Sequence, residues 1–162
     1  NGTTGVTTPG VTSTGTMSST GVITASQGVG GTPAFSAILS ANQSLTASTF
    51  TKLNFNTEEF DTNSNYDTTN YRFTPTVAGY YQVSAAIYPN TTVTAIINYI
   101  YKNGATYKGS AGTSTSAVAT CLVYMNGSTD YIESYGYCTG TTPVVLASSS
   151  VTYFQAVLVR SA

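Results

Sequence analysis

The sequence predicts an all-β protein, and three observations carry that expectation. First, the chain is neither charged nor aromatic-poor. Of its 162 residues only 7% are charged, whereas 12% are aromatic, including 13 tyrosines; disordered chains show the reverse balance. Second, serine and threonine together make up about a third of the chain. Threonine, valine and tyrosine suit a pleated, half-buried surface. Third, from residue 34 onward apolar residues alternate or cluster over strand-length runs between turn residues, with no convincing helical stretch.

The first segment, 1–31, is of a different kind. In GVTTPGVTSTGTMSSTGVITASQGVGG, glycine returns at Gly5, Gly10, Gly15 and Gly21, and Val6, Val11 and Val22 each follow one of them. A spacing of five, then six, excludes collagen, which needs glycine at every third position. Each unit offers one or two apolar groups, too few to offset the ordering entropy of a single chain. Two arrangements remain open. One is a disordered linker. The other is a Gly/Thr-rich β-type fibre shaft, in which Val6, Val11, Met17, Val22 and Ile23 of several copies meet on a common axis.

Gly28, Gly30, Gly31 and Pro33 mark a boundary, so residues 32–162 are expected to form a separate globular domain. Strands are predicted over 34–39, 49–54, 70–75, 79–88, 93–102, 105–109, 117–125, 130–137 and 150–159. Asn103-Gly104 predicts a tight hairpin, and Asn126-Gly127 a turn running on to Thr129. In 79–88, the face bearing Tyr81, Val83, Ala85 and Ile87 is the expected core face. In the closing strand, Val151, Tyr153, Gln155 and Val157 alternate with Phe154, Ala156 and Leu158, so both faces are fairly apolar. Burial on both sides would require a partner subunit. Eight to ten short strands with regular turns predict a sandwich or jelly roll.

Several function classes find little support. A net charge of −1 gives no basic patch for nucleic acid. No run of about 18 apolar residues predicts a membrane-spanning helix. No signal peptide is visible, and the start at Asn1 suggests a fragment or a processed product. With no histidine, neither a Ser-His nor a Cys-His pair can be built. Lys52, Lys102 and Lys108 leave a Ser-Lys arrangement formally open, but the abundance of serine makes any such pair uninformative. Cys121 and Cys138 form no disulfide framework and no metal spacing, so reduced thiols are expected.

Four of the six acids, Glu58, Glu59, Asp61 and Asp67, fall between 58 and 67. A solvated loop or turn is the expected setting. The alternatives are a calcium site, with Asn56, Asn63 and Asn65 adding carbonyl oxygens, or paired carboxylates for glycoside cleavage. No other cofactor is expected. Tyr99, Tyr101, Tyr107, Tyr124, Tyr131, Tyr135 and Tyr137 are expected to serve core and inter-subunit packing, with an exposed platform for sugar rings as the alternative. Loops 89–93, 110–116 and 139–143 are where recognition would sit. The Asn-x-Ser/Thr triplets at Asn42, Asn90 and Asn126 are expected by chance in such a chain.

The segment FNTEEFDTNSNYDTTNYRFTPTVAGYYQVSA, residues 55–85, resembles the signature of the complement C1q globular head, a relative of the tumour necrosis factor jelly roll. Phe55, Asp61, Tyr66, Phe73, Gly79 and Tyr81 fall on its spacings. Two further aromatics expected by the family are replaced by Val83 and Ala85. YKNG, STDYIESYG and SSSVTYFQAVLV resemble the later strands more loosely. The resemblance covers roughly 34–160. It implies a ten-stranded C1q/TNF-like jelly-roll sandwich that packs as a homotrimer at the end of a stalk. Together with the Gly/Thr-rich segment, it is most similar to the head of a phage or other viral fibre. The expected role is then non-enzymatic: surface display or attachment at the virion surface. Its partners would be itself, other fibre or tail proteins, and a host surface glycan or protein, with no nucleic acid and no membrane insertion. The alternatives are a cellular surface tip, such as a bacterial exosporium or adhesin head, and a glycan-cleaving enzyme.

Overall fold

In a computed structural model, residues 32–162 are described. The expected shaft positions Val6, Val11, Met17, Val22 and Ile23 lie outside them. In chain order the strands are β1 (Ala34–Ile38), β2 (Gln43–Ser44), β3 (Thr51–Lys52), β4 (Thr57–Asp61), β5 (Tyr66–Asp67), β6 (Arg72–Phe73), β7 (Gly79–Ile87), β8 (Ile96–Lys102), β9 (Ala105–Gly112), β10 (Ala117–Met125), β11 (Ile132–Cys138), β12 (Val144–Val145) and β13 (Tyr153–Ser161). No helix occurs among the described residues. All pairings are antiparallel.

Two sheets enclose the core. The first runs β10-β7-β13-β1-β4. The second runs β5-β6-β11-β8-β9, with β3 also on β11. The pair β12-β2 closes one end. Strands from distant parts of the sequence lie side by side within each sheet, as in a jelly roll.

The alternation of β7 settles which face is core. Tyr81, Val83, Ala85 and Ile87 are all fully buried. The register then explains why small residues replace two expected aromatics. Ala119, Ala85, Phe154 and Ala37 form one cross-strand row on the inner face. Phe154, flanked by three alanines, fills the width that a second large side chain would otherwise take. The neighbouring row, Cys121-Val83-Ala156-Phe35, places its bulk at the other end, on Phe35.

Turn chemistry fixes the hairpins. Asn103 and Gly104 both adopt positive φ, 52° and 77°, the primed turn that matches strand twist. In the next turn the Asn126 side-chain oxygen accepts from the backbone N–H groups of Ser128, Thr129 and Asp130.

Two expectations need correction. The acid-rich stretch is not all loop: Thr57–Asp61 is an edge strand, because it pairs with β1 across a bulge between Ser36 and Ala37. The segments 49–54 and 70–75 shrink to two-residue strands, since each meets the second sheet only briefly. In the single chain one apolar face of the closing strand is open, with Val157 and Val159 43% and 61% exposed.

Candidate functional site

The signature residues converge on one aromatic cluster. Phe35 of β1 is its centre, with its ring stacked on Tyr66 at 4.7 Å and Phe73 at 4.5 Å, and edge-on to Phe154 at 5.0 Å. Tyr81 meets Phe73 edge-on at 5.7 Å, and Phe55 lies 5.9 Å from Phe154. Tyr66 is buried, and its hydroxyl donates to the Phe55 carbonyl at 2.8 Å; burial pushes its phenol well above the ordinary range. The Tyr81 hydroxyl donates to the Val77 carbonyl at 2.7 Å, and burial pushes that phenol up to about 12. Asp61 accepts from the N–H of Tyr66 at 2.7 Å and of Asn63 at 3.2 Å, closing the loop between β4 and β5. At Gly79 a Cβ would lie 2.3 Å from the Arg160 carbonyl oxygen, so β7 approaches β13 more closely than any side chain allows. These residues hold the sandwich together and face its interior.

The calcium candidates do not converge. Glu59 accepts from the Ser36 hydroxyl at 2.7 Å. Asp67 accepts from Thr69 and from both the backbone and the side chain of Asn70, and the Asn70 side-chain bond leads in holding its carboxyl below the ordinary range. Glu58 lies on the exposed edge strand β4. Among the described residues, no three His, Cys, Asp or Glu side chains gather as a metal-binding set. The physical reason is local: Asp61 and Asp67 are spent on the turns that flank them, and Glu59 on the neighbouring strand.

The lysines are committed too. Lys52 pairs with the buried Glu133. Lys102 pairs with Asp130 at 2.8 Å and donates to the Tyr124 carbonyl. Lys108 lies over the Tyr107 ring. None of them hydrogen-bonds a serine hydroxyl, so the described residues hold no Ser–Lys pair. Burial pushes the Cys121 and Cys138 thiols up to about 11, which keeps them in the unreactive protonated form.

The outer faces of the two sheets differ. On the second sheet the tyrosines pack against one another. Tyr101 stacks on Tyr135 at 4.0 Å. Phe50 bridges Tyr99 and Tyr137 at 5.1 Å each, and the Tyr99 ring lies across Gly109, within 1.9 Å of where a Cβ would stand. Arg72 covers Tyr131 at 5.0 Å. The rings cover much of their own sheet, although Phe50 and Tyr107 stay 37% and 38% exposed.

The first sheet is uncovered. Among the described residues ten large apolar side chains are markedly exposed, and seven of them, Phe60, Tyr80, Val118, Leu122, Tyr124, Val157 and Val159, sit on this sheet. Cross-strand rows order them: Leu122-Gln82-Val157-Ala34 and Thr120-Ser84-Gln155-Ser36-Phe60. Tyr80 and Tyr124 meet at 5.5 Å. A cleft of about 310 Å³ opens here, between Phe60, Gln82, Gln155 and Val157. Outside an interface, an apolar surface gathered on one face is uncommon. The sequence reading placed Tyr80 on the face opposite the core and expected Tyr124 to pack. It did not gather this surface. The alternation of AVATCLVYM, with Val118, Thr120, Leu122 and Tyr124 opposite the core residues, was the available signal.

No protein-family model matches the sequence, and neither does any curated protein. Solved structures do. The globular domain of zebrafish complement 1qA is 16% identical, with a TM-score of 0.62 over 81% of this chain and 99% of that one. Murine APRIL at pH 5.0 is 9% identical, with a TM-score of 0.63 over 79% of this chain and 99% of that one. PRD1 vertex protein P5 is 13% identical, with a TM-score of 0.62 over 79% of this chain and 97% of that one. Residues 32–162 therefore have the C1q/TNF jelly-roll fold, as the signature in 55–85 implied.

Proposed function

We propose that this chain is a non-enzymatic attachment or display head, closed as a homotrimer at the tip of a virion fibre, with residues 1–31 as the end of its shaft and 32–162 as its knob. The observation that carries the reading is the uncovered outer face of the first sheet. Seven large apolar side chains lie on one surface, and among the described residues no element covers them. Burying them against two further copies about a threefold axis closes the assembly without leaving an open end. The scarcity of charge on this face matches the centre of a stable interface. The fold is shared with PRD1 vertex protein P5, a likeness that supports the virion setting. Trimeric knobs would also hold three copies of Val6, Val11, Met17, Val22 and Ile23 at high local concentration, the condition a shared shaft needs.

The test places a charge in the face. Leu122 is 56% exposed in the single chain, so Leu122→Glu costs an isolated head little. In the trimer it buries an unpaired carboxylate. Native mass spectrometry should show trimers for the wild type and mostly monomers for the variant. Trimers of unchanged stability in the variant would show that another surface holds the copies together.

A further inference from the structure

The two ends of the sandwich differ in charge. The described chain enters at Ala34, which pairs with Val157, and leaves at Ser161, which pairs with Gly79; Gly79 also pairs with Met125. Entry and exit therefore share one end, with the loops 62–65, 74–78 and 126–131. Asp61, Lys102, Asp130 and Arg160 lie at or next to that end. The opposite end is built from 39–50, 88–95, 113–116 and 139–152, and these four segments contain no Asp, Glu, Lys or Arg. They are made mainly of serine, threonine, asparagine, glutamine and small apolar residues.

A cleft of about 460 Å³ opens at this end, lined by Tyr88, Asn90, Thr91, Thr92 and Ser114. Its backbone is fixed. Asn90 N–H donates to the Val144 carbonyl at 2.7 Å, and Leu146 N–H to the Tyr88 carbonyl at 2.9 Å. Val144 N–H donates to the Thr91 hydroxyl oxygen, and Tyr88 N–H to that of Thr152. Pro89 bridges to Val145 and fixes its own φ. Gly140, at φ +119°, backs the loop; a Cβ there would stand 3.0 Å from the Thr92 carbonyl oxygen. On this fixed frame the Asn90 amide and the hydroxyls of Tyr88, Thr92 and Ser114 make no hydrogen bond to any described residue. Tyr88 is 38% exposed.

We propose that this cleft binds an uncharged carbohydrate. Its groups match that chemistry. The ring offers an apolar face to the C–H side of a pyranose. The amide offers both donors and an acceptor, suited to vicinal hydroxyls. The lack of charge removes any pull on sialylated or phosphorylated ligands. A fixed loop avoids the ordering cost that weakens binding by flexible ones. Single-site affinity is weak by nature of the small area, and three copies compensate through avidity. The inference rests on the attachment reading.

The test is saturation-transfer-difference NMR on the full chain with the methyl glycosides of glucose, galactose, mannose and N-acetylglucosamine, with sialyl-lactose alongside. At least one neutral glycoside should receive saturation, with amide shifts confined to 88–93 and 113–116. Tyr88→Ala and Asn90→Ala should each weaken it by about tenfold, and Tyr88→Phe much less. The Asn90 side chain makes no hydrogen bond to any described residue, so its variant is expected to retain the fold. Transfer to none of the neutral glycosides, transfer to sialyl-lactose alone, shifts centred on the Tyr99 and Tyr135 face, or unchanged binding by Asn90→Ala would each overturn the proposal. Light scattering on the same samples reads the attachment assembly separately: a trimer that binds no glycoside overturns this inference alone.

Discussion

Phe35 touches three aromatic rings with centroids within 5.0 Å and is fully buried, and through Tyr66 and Phe73 it links the two sheets. Phe35→Ala should cost about 3–5 kcal/mol, read by urea denaturation, because the surrounding rings cannot collapse into the space. Tyr66→Phe should cost about 1–2 kcal/mol by removing the donor to the Phe55 carbonyl. Equal losses for the two would contradict a packing role for Phe35. Asp130 gives a pH-dependent counterpart. Its bond from Lys102, followed by those from Asn103 and Asn126, holds its carboxyl below the ordinary range. A carboxyl whose folded pKa is depressed stabilises the fold above its unfolded value, and that stability is lost as pH falls through the folded pKa. Asp130→Asn should therefore cost about 1–2 kcal/mol at pH 7, with the gap from wild type closing below about pH 4. A gap that stays constant down to pH 2 would contradict the assignment. The signature aromatics were legible in the sequence because their spacing is a core pattern. Phe35 as their centre was not, since nothing within AFSAIL says which distant rings will meet it.

At the scale of elements, the contact of β7 with β13 depends on Gly79, where a Cβ would also lie 2.7 Å from a Leu158 methyl. Gly79→Ala should cost about 3 kcal/mol by forcing the strands apart. Hydrogen exchange should then rise at Arg160–Ala162 first, and protection unchanged there would contradict the close-approach argument. The long strands were readable from alternation. β4 was not: TEEFD shows no alternation of buried residues because it is an edge strand, exposed at four of its five positions. The short strands β2 and β12 escaped for a related reason. Each is two residues long and exists only by pairing with the other across about a hundred positions of sequence. The tight turn at Asn103-Gly104 was legible because left-handed backbone demands those residue types.

For the whole molecule, the described chain resolves into a sheet whose outer rings pack on one another, a sheet with an apolar outer face, and an uncharged end. The middle-strand tyrosines, expected in the core or between subunits, are absent from the core: Tyr107 and Tyr124 are exposed, and Tyr99, Tyr101, Tyr131, Tyr135 and Tyr137 are half-buried on the outer face of the second sheet. The uncovered face was legible only in part, through the apolar character of both sides of 150–159; Phe60 was hidden in an acidic stretch. The Leu122→Glu variant tests the location of the interface. The central claim, that three copies close on that face, is tested most directly by the native mass of the full chain in solution. Multi-angle light scattering at micromolar concentration should return the mass of three chains, independent of dilution across about tenfold. The mass of a single chain would contradict the account, because the seven exposed apolar side chains would then be left without a partner and the fibre reading without its physical basis.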